Sequence, residues 1–364
     1  MRNVSIALLG AVSAAALIGA GCTKNTDPAE TVPAANAESG ATAAASVPDA
    51  DMQAVLDQLA KLGGKPIETL EPVEARKQPT PTDAVKAVMT AQGMSLAPDP
   101  AVTAKDITYP GAGVPQKARI YTPAGAKGAL PVVLYIHGGG WVIADLDVYD
   151  AGPRALAKGA NAIVVSIEYR HAPEAKFPAA HDDANAAYKW VLANAAKWGG
   201  DPKKIAVAGE SAGGNMALNV AIAARDKGWQ APLAVVAVYP VADSNMSTGS
   251  KISQAAAKPL NTKTLAWFFS HTISNPSEAL DPRLNLVGAK LAGLPPTSII
   301  VAEIDPLHDD GVNLAGKLKD AGVATELRDY KGVTHEFFGM GSVVAKAKDA
   351  QEYASAQLKS AFGT

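Results

Sequence analysis

Cysteine is nearly absent from this chain. Cys22 is the only one among 364 residues, so no intrachain disulfide framework can support the fold. Aromatic residues make up only 5% of the chain. Alanine and glycine are abundant instead, a composition that favours close helix–sheet packing over an aromatic-filled sandwich. Runs of basic residues are missing too: 33 Lys and Arg stand against 35 Asp and Glu, which leaves no electrostatic footprint for nucleic acid. The apolar run from Ile6 to Ala20, behind Arg2, is too short for a comfortable membrane span but has the length of a signal-peptide core.

Cys22 follows that run directly. Residues 1–21 read as a signal peptide, with Cys22 as a lipid attachment point after processing. This start resembles a bacterial lipoprotein signal, which implies an exported protein, periplasmic or associated with the outer membrane. Residues 22–50 are rich in Ala, Thr, Pro, Ser and acidic side chains without a sustained apolar period, and read as a disordered spacer. With 48% hydrophobic residues overall, the remaining length is ample for a large core.

Two helices are expected over 51–62 and 82–92, with Met52, Val55, Leu56 and Leu59 on one face of the first. Residues 51–105 therefore read as an N-terminal helical segment, either a cap over a site or a stabilising appendage. From residue 106 onward short apolar runs alternate with helical patterns. Strands are expected at 107–109, 118–121, 131–136, 162–168, 205–208, 233–239, 298–302 and 325–330, and helices at 179–195, 308–320 and 341–360. Such alternation indicates an α/β domain over 106–364, a mostly parallel central sheet flanked by helices.

Gly209-Glu210-Ser211-Ala212-Gly213 is the most informative pattern. It follows the apolar run Ile205 to Ala208 and precedes a helical stretch, the context in which G-x-S-x-G presents a nucleophilic serine on a tight strand-to-helix turn. His137-Gly138-Gly139-Gly140 begins where the 131–136 strand ends. Consecutive glycines let backbone amides converge on a small space, so Gly138 and Gly139, with Ala212 after the nucleophile, are the candidate oxyanion hole. Gly140 serves the turn of the loop, and His137 at its entrance has a hydrogen-bonding structural role. His181-Asp182-Asp183 and His308-Asp309-Asp310 lack a complete metal-ligand spacing and read as surface or capping groups at helix starts. No metal or cofactor is assigned.

Together these segments resemble the hormone-sensitive-lipase-like, or bacterial family IV, esterases of the α/β-hydrolase superfamily, over roughly residues 106–355. His137 to Trp141 stands where that family has its oxyanion loop, and Gly209 to Gly214 where it has its nucleophile elbow, with Glu210 in place of the commoner aspartate. Tyr169-Arg170-His171-Ala172-Pro173-Glu174 is close to a further family segment, with His171 where leucine is commoner. The resemblance implies a catalytic triad of Ser211, Asp305 and His335, in the chain order usual for α/β-hydrolases. Glu303, Asp309 and Asp310 are weaker candidates for the acid. Tyr169 and Arg170 are expected to organise the oxyanion loop, with Glu210 in the same network.

The same likeness implies a serine carboxylesterase acting on small-molecule esters of short to medium acyl length, under a helical cap drawn from 51–105 and a possible insertion at 241–285. Trp141, Trp267, Phe268 and Phe269 are candidates both for an apolar pocket and for the core. The alternative is a noncatalytic small-molecule binding protein on the same fold, which would require His335 turned away from Ser211 or a cap sealing the serine. A surface scaffold is a third reading, but it leaves the catalytic constellation unexplained.

Overall fold

The computed structural model describes residues 46–364. The expected signal peptide, the lipidation candidate Cys22 and spacer residues 23–45 lie outside the described residues. The chain then runs through helices α1 (Ala50–Lys61), α2 (Pro72–Ala75) and α3 (Pro81–Ala91) before strands β1 (Val102–Tyr109), β2 (Gln116–Pro123) and β3 (Leu130–Ile136). Next come α4 (Ala151–Ala160), β4 (Ile163–Ile167), α5 (Ala179–Asn194), β5 (Gly200–Glu210), α6 (Ala212–Lys227) and β6 (Val235–Val238). The short α7 (Gly249–Ser253) and α8 (Thr262–Thr272) precede β7 (Thr297–Ile304), α9 (His308–Asp320), β8 (Thr325–Thr334) and α10 (Ala345–Phe362).

The eight strands form one sheet in the order β1-β2-β4-β3-β5-β6-β7-β8. Only the β1–β2 and β2–β4 pairs are antiparallel; the rest of the ladder is parallel. A parallel centre needs cover on both faces, which is why β3 reads as an unbroken apolar run and is buried along its whole length. Its side chains alternate between two layers. Val132, Leu134 and Ile136 join a cluster with Ala184 of α5 and Met216 of α6, while Val133 and Tyr135 join Leu156 of α4 and Ala354 of α10 on the other face. The α/β-hydrolase architecture is thus present, with helical cap material at one end of the sheet.

The cap is stitched from two distant segments. Glu68 accepts hydrogen bonds from Thr264 Oγ1 (2.9 Å) and Asn261 Nδ2 (3.2 Å), and Trp267 Nε1 donates to the Leu70 carbonyl (3.0 Å). Helix α3 starts sharply because Thr80 and Asp83 form a reciprocal capping box and Pro81 occupies the first turn. Helix α1 lies elsewhere: Asp49 N donates to the Gly332 carbonyl and Ala345 N to Asp51 Oδ2, both at 2.8 Å, tying it beside β8 and α10. Met52 and Val55 are buried there, as the amphipathic pattern expected, with Leu56 and Leu59 packed alongside. Of the 51–105 segment, residues between Ile67 and Pro81 border the site cavity, and β1 begins inside it, before the expected boundary at 106.

Two acidic clusters depart from expectation. Asp183 is not a surface group: it is buried, takes Arg170 Nε at 2.7 Å and accepts from Ala112 N at 2.7 Å. His181 is buried against Asn215, its Nε2 2.9 Å from Oδ1, and burial pushes its pKa down to about 4. Asp310 is also fully buried and meets the equally buried Lys251 at 2.6 Å. Its Oδ2 accepts from the backbone of Ala242 (3.0 Å) and Asp243 (2.9 Å), and burial raises its pKa to about 6. These charges clamp loops that local sequence patterns leave free. Removing one partner of a buried pair strands the other, at a cost of about 3–5 kcal/mol. Lys251→Met is therefore expected to lower unfolding free energy by that amount in urea titration, and the double change Lys251→Met with Asp310→Leu to recover most of it.

Candidate active site

The site grows from the β5–α6 turn. Ser211 joins strand to helix with φ 56° and ψ -118°, a conformation that L-residues rarely occupy. Neighbouring chain makes the turn possible only with glycines. A Cβ on Gly213 would collide with the Ile136 carbonyl, and one on Gly209 with the Gly213 carbonyl. Hydrogen bonds hold the strained residue: Ser211 N donates to the Val238 carbonyl at 2.9 Å, and the Ser211 carbonyl accepts from Asn215 N and Val241 N at 3.0 and 3.2 Å. Strain fixed this way projects Oγ off the end of the sheet.

His335 directly follows β8, which runs four residues beyond the expected strand end. Its Nε2 lies 3.0 Å from Ser211 Oγ and its Nδ1 2.7 Å from Asp305 Oδ2. Asp305 is fully buried just after β7, and its other oxygen accepts from Leu307 N at 2.8 Å. Burial works to lower the His335 pKa, but the Asp305 carboxylate and its hydrogen bond, with Glu336 beside it, outweigh burial and raise it. The competing carboxylates point elsewhere. Glu303 accepts from Gly332 N at 2.8 Å, Asp309 from Ser250 N at 2.8 Å, and Asp310 pairs with Lys251.

The glycine loop faces this trio. Gly139 (φ 91°) and Gly140 (φ 58°) hold left-handed backbone, and a Cβ on Gly140 would enter the Phe268 ring. Gly138 sits one residue back, where a Cβ would strike the Tyr149 hydroxyl. Ala212 heads α6, so its amide has no acceptor within the helix. Tyr169 Oη donates to the Gly138 carbonyl at 2.8 Å, and His137 Nδ1 lies 2.8 Å from the same oxygen. Tyr169 thus organises the loop, whereas Arg170 turns to Asp183. Glu210 joins a different network: it is buried beneath the serine and receives hydrogen bonds from Tyr135 and Tyr239, and burial raises its pKa well above the carboxylate range.

Three groups at the site escaped the sequence reading. Glu336, adjacent to His335, holds left-handed backbone (φ 69°) and accepts from Tyr149 Oη at 2.6 Å; burial raises its pKa. Tyr149 comes from the loop before α4. Glu168 lies 3.4 Å from His137 Nε2 and accepts from Leu146 N at 2.8 Å. No local motif marks these residues, because each acts on a partner far along the chain or through a backbone conformation.

Ser211, His335, Gly139 and Gly140 open onto one cavity of about 220 Å³. Its walls include Trp141, Leu265, Phe268 and Phe269, with Arg76 and Pro79 from the N-terminal cap segment. Trp267 instead packs on the cap stitch through its bond to Leu70. The arrangement offers a hydroxyl next to an imidazole, an imidazole next to a buried carboxylate, and a glycine wall beside the hydroxyl. That set suits attack on a carbonyl carbon and storage of one proton.

Comparison with known proteins agrees. A family model described as alpha/beta hydrolase fold matches residues 133–339. The carboxylesterase NlhH of Mycobacterium tuberculosis is 42% identical over 248 residues, 67% of this chain and 78% of that protein. The ethyl acetate hydrolase of Pseudomonas putida is 35% identical over 308 residues, 83% and 95% of the two chains. Among solved structures, a hyperthermophilic esterase from Pyrobaculum calidifontis superposes with a TM-score of 0.77 at 37% identity, over 86% of this chain and 98% of that one. With the fold, the serine turn and these relatives together, the chain belongs to the α/β-hydrolases, among the esterases related to bacterial family IV.

Proposed function

We propose that Ser211, His335 and Asp305 are the catalytic residues of a carboxylic ester hydrolase that works through an acyl-enzyme. The observation that carries this assignment is the continuous line from Ser211 Oγ through both His335 nitrogens to Asp305, at 3.0 and 2.7 Å. Ser211 Oγ attacks the ester carbonyl carbon while His335 Nε2 takes its proton. Negative charge gathers on the carbonyl oxygen, and the amides of Gly138, Gly139 and Ala212 are its proposed donors, Gly139 being the one of the three that lines the cavity. Collapse of the tetrahedral intermediate breaks the bond to the alcohol oxygen, which leaves with the proton from His335. Water then gives a proton to His335 and attacks the acyl carbon; the acyl–Oγ bond breaks, the acid leaves and His335 returns the proton to Ser211 Oγ. Asp305 holds the imidazole tautomer and stabilises its protonated form. A noncatalytic binding role would need His335 turned from Ser211, and the relatives are hydrolases.

The cavity limits the substrate. Its volume of about 220 Å³ lies at the small end for a ligand site, which favours a short or medium acyl chain over a long triglyceride chain. Apolar walls at Trp141, Phe268 and Phe269 select an uncharged ester without naming it. The proposed location is outside the cytoplasm, with the domain tethered by a lipid on Cys22 through the spacer at the membrane of the periplasm or outer envelope. The apolar run 6–20 and the cysteine that follows it support that reading. Among the described residues no helix is long and apolar enough to cross a membrane.

Three outcomes follow. Steady-state hydrolysis of p-nitrophenyl esters is expected to favour short acyl chains, and Ser211→Ala to lower kcat by about 10⁴-fold or more; equal turnover by the alanine variant would sink the assignment. His335 must be neutral to take a proton, so kcat/KM falls as pH drops through its pKa. Because that pKa is raised, the acid limb is expected above the ordinary value of about 6.5, and Glu336→Gln should move it to lower pH. For the tether, Cys22→Ser is expected to shift esterase activity from the membrane to the soluble fraction of cells, whereas an unchanged distribution would reject the lipid anchor.

A further inference from the structure

Beside the Gly138 carbonyl, three side-chain atoms able to ligate a metal share an unexplained space. His137 Nδ1 lies 2.8 Å from the Gly138 carbonyl oxygen. A carbonyl has no proton to give, so Nδ1 is the donor and, in the neutral ring, Nε2 presents a lone pair. That Nε2 is buried without a hydrogen-bond partner, and it faces Glu168 Oε2 at 3.4 Å. His171 Nε2, also buried and unpartnered, faces the same oxygen at 3.8 Å. All three atoms lie within 4.8 Å of one another. The His137 Nε2 lone pair set against the Glu168 carboxylate is unfavourable unless a proton or a cation lies between them, and His171 Nε2 faces the same oxygen.

We propose that His137, Glu168 and His171 form a binding site for a divalent cation of the zinc type, noncatalytic and set against the oxyanion loop. Two imidazoles and one carboxylate are a borderline donor set, suited to zinc rather than to calcium or magnesium. Metal–ligand bonds of about 2.0–2.2 Å in a tetrahedron place ligand atoms about 3.3 Å apart. The His137–Glu168 edge is already there, and the partly exposed His171 ring has freedom to close the other two edges. Glu168 and His171 border an open surface cleft of about 450 Å³, which provides an entry route and a water as fourth ligand. The charges nearby are otherwise committed: Arg76 is bound by Glu174 and Arg170 by Asp183, both at 2.7 Å. Among the described residues Glu168 has no Lys or Arg partner in an ion pair.

These donors carry no metal-ligand spacing along the chain. His137 directly follows β3, Glu168 directly follows β4, and the β3–β4 pairing brings them together. A cation there would fix the His137 ring, and through the Gly138 carbonyl the loop that carries Gly138 and Gly139.

The test uses the full chain after chelator treatment, titrated with Zn²⁺ alone by calorimetry at neutral pH, with thermal unfolding in parallel. One equivalent is expected to bind, raising Tm by about 5 °C at a hundredfold excess over Kd. His171→Leu and Glu168→Gln should each weaken binding by more than the roughly 10–100-fold cost of an outer-shell change. His308→Ala, at an imidazole–carboxylate grouping that shares no residue with either site, should bind like wild type. The His171 side chain is partly exposed, so that variant carries the test if Glu168→Gln misfolds. No saturable binding by wild type would mean that a proton fills the space, and equal binding by His171→Leu would place the ion elsewhere. Either result overturns the site.

Discussion

A strained serine between β5 and α6 sets the terms for the rest of this molecule. At φ 56° and ψ -118°, Ser211 occupies a conformation that costs of order 1–3 kcal/mol and persists only where surrounding structure imposes it. The imposition comes from the sheet centre. Val238 and Val241 hold its backbone, and the Ile136 carbonyl passes so close to Gly213 that no side chain fits. The same close approach brings the end of β3, and with it the glycine loop, beside the hydroxyl. The geometry of nucleophile and oxyanion loop is therefore one packing problem with one solution.

Electrostatics complete what packing begins. His335 is buried, which alone would favour its neutral form, yet Asp305 and Glu336 stabilise the protonated state enough to raise its pKa. That balance suits a group that must accept a proton and then return it. Beneath the serine, Glu210 is driven toward its neutral form by burial and is tied to Tyr135 and Tyr239. Tyr239 also packs its ring 4.4 Å from that of His335. The acidic residue beside the nucleophile thus braces the turn and the base without touching the reacting atoms.

Much of this was legible in the sequence where the signal is local. Unbroken apolar runs marked the parallel strands, because burial on both faces removes polar alternation. The G-x-S-x-G turn and the glycine loop were legible because backbone conformation demands glycine there. Boundaries were less so: β8 continues past the expected end at residue 330 to Thr334, across Lys331 and Gly332, through pairing with β7. Contacts between distant charges were invisible. Asp183 with Arg170, Asp310 with Lys251, and the Glu168 pocket arise from the fold, and nothing in a helix-start acid distinguishes a cap from a buried clamp. The cap joined at Glu68 and Thr264 was equally hidden, since its halves stand 196 residues apart.

The central claim is that one strained serine forms the acyl intermediate, and covalent trapping tests it most directly. The full-length protein would be treated with a small activated phosphonate ester, digested and analysed by mass spectrometry, with residual esterase activity followed in the same samples. The account predicts a single adduct on the peptide bearing Ser211, with loss of activity in proportion to its occupancy. An adduct on another residue that abolishes turnover, or full turnover with Ser211 modified, would contradict it.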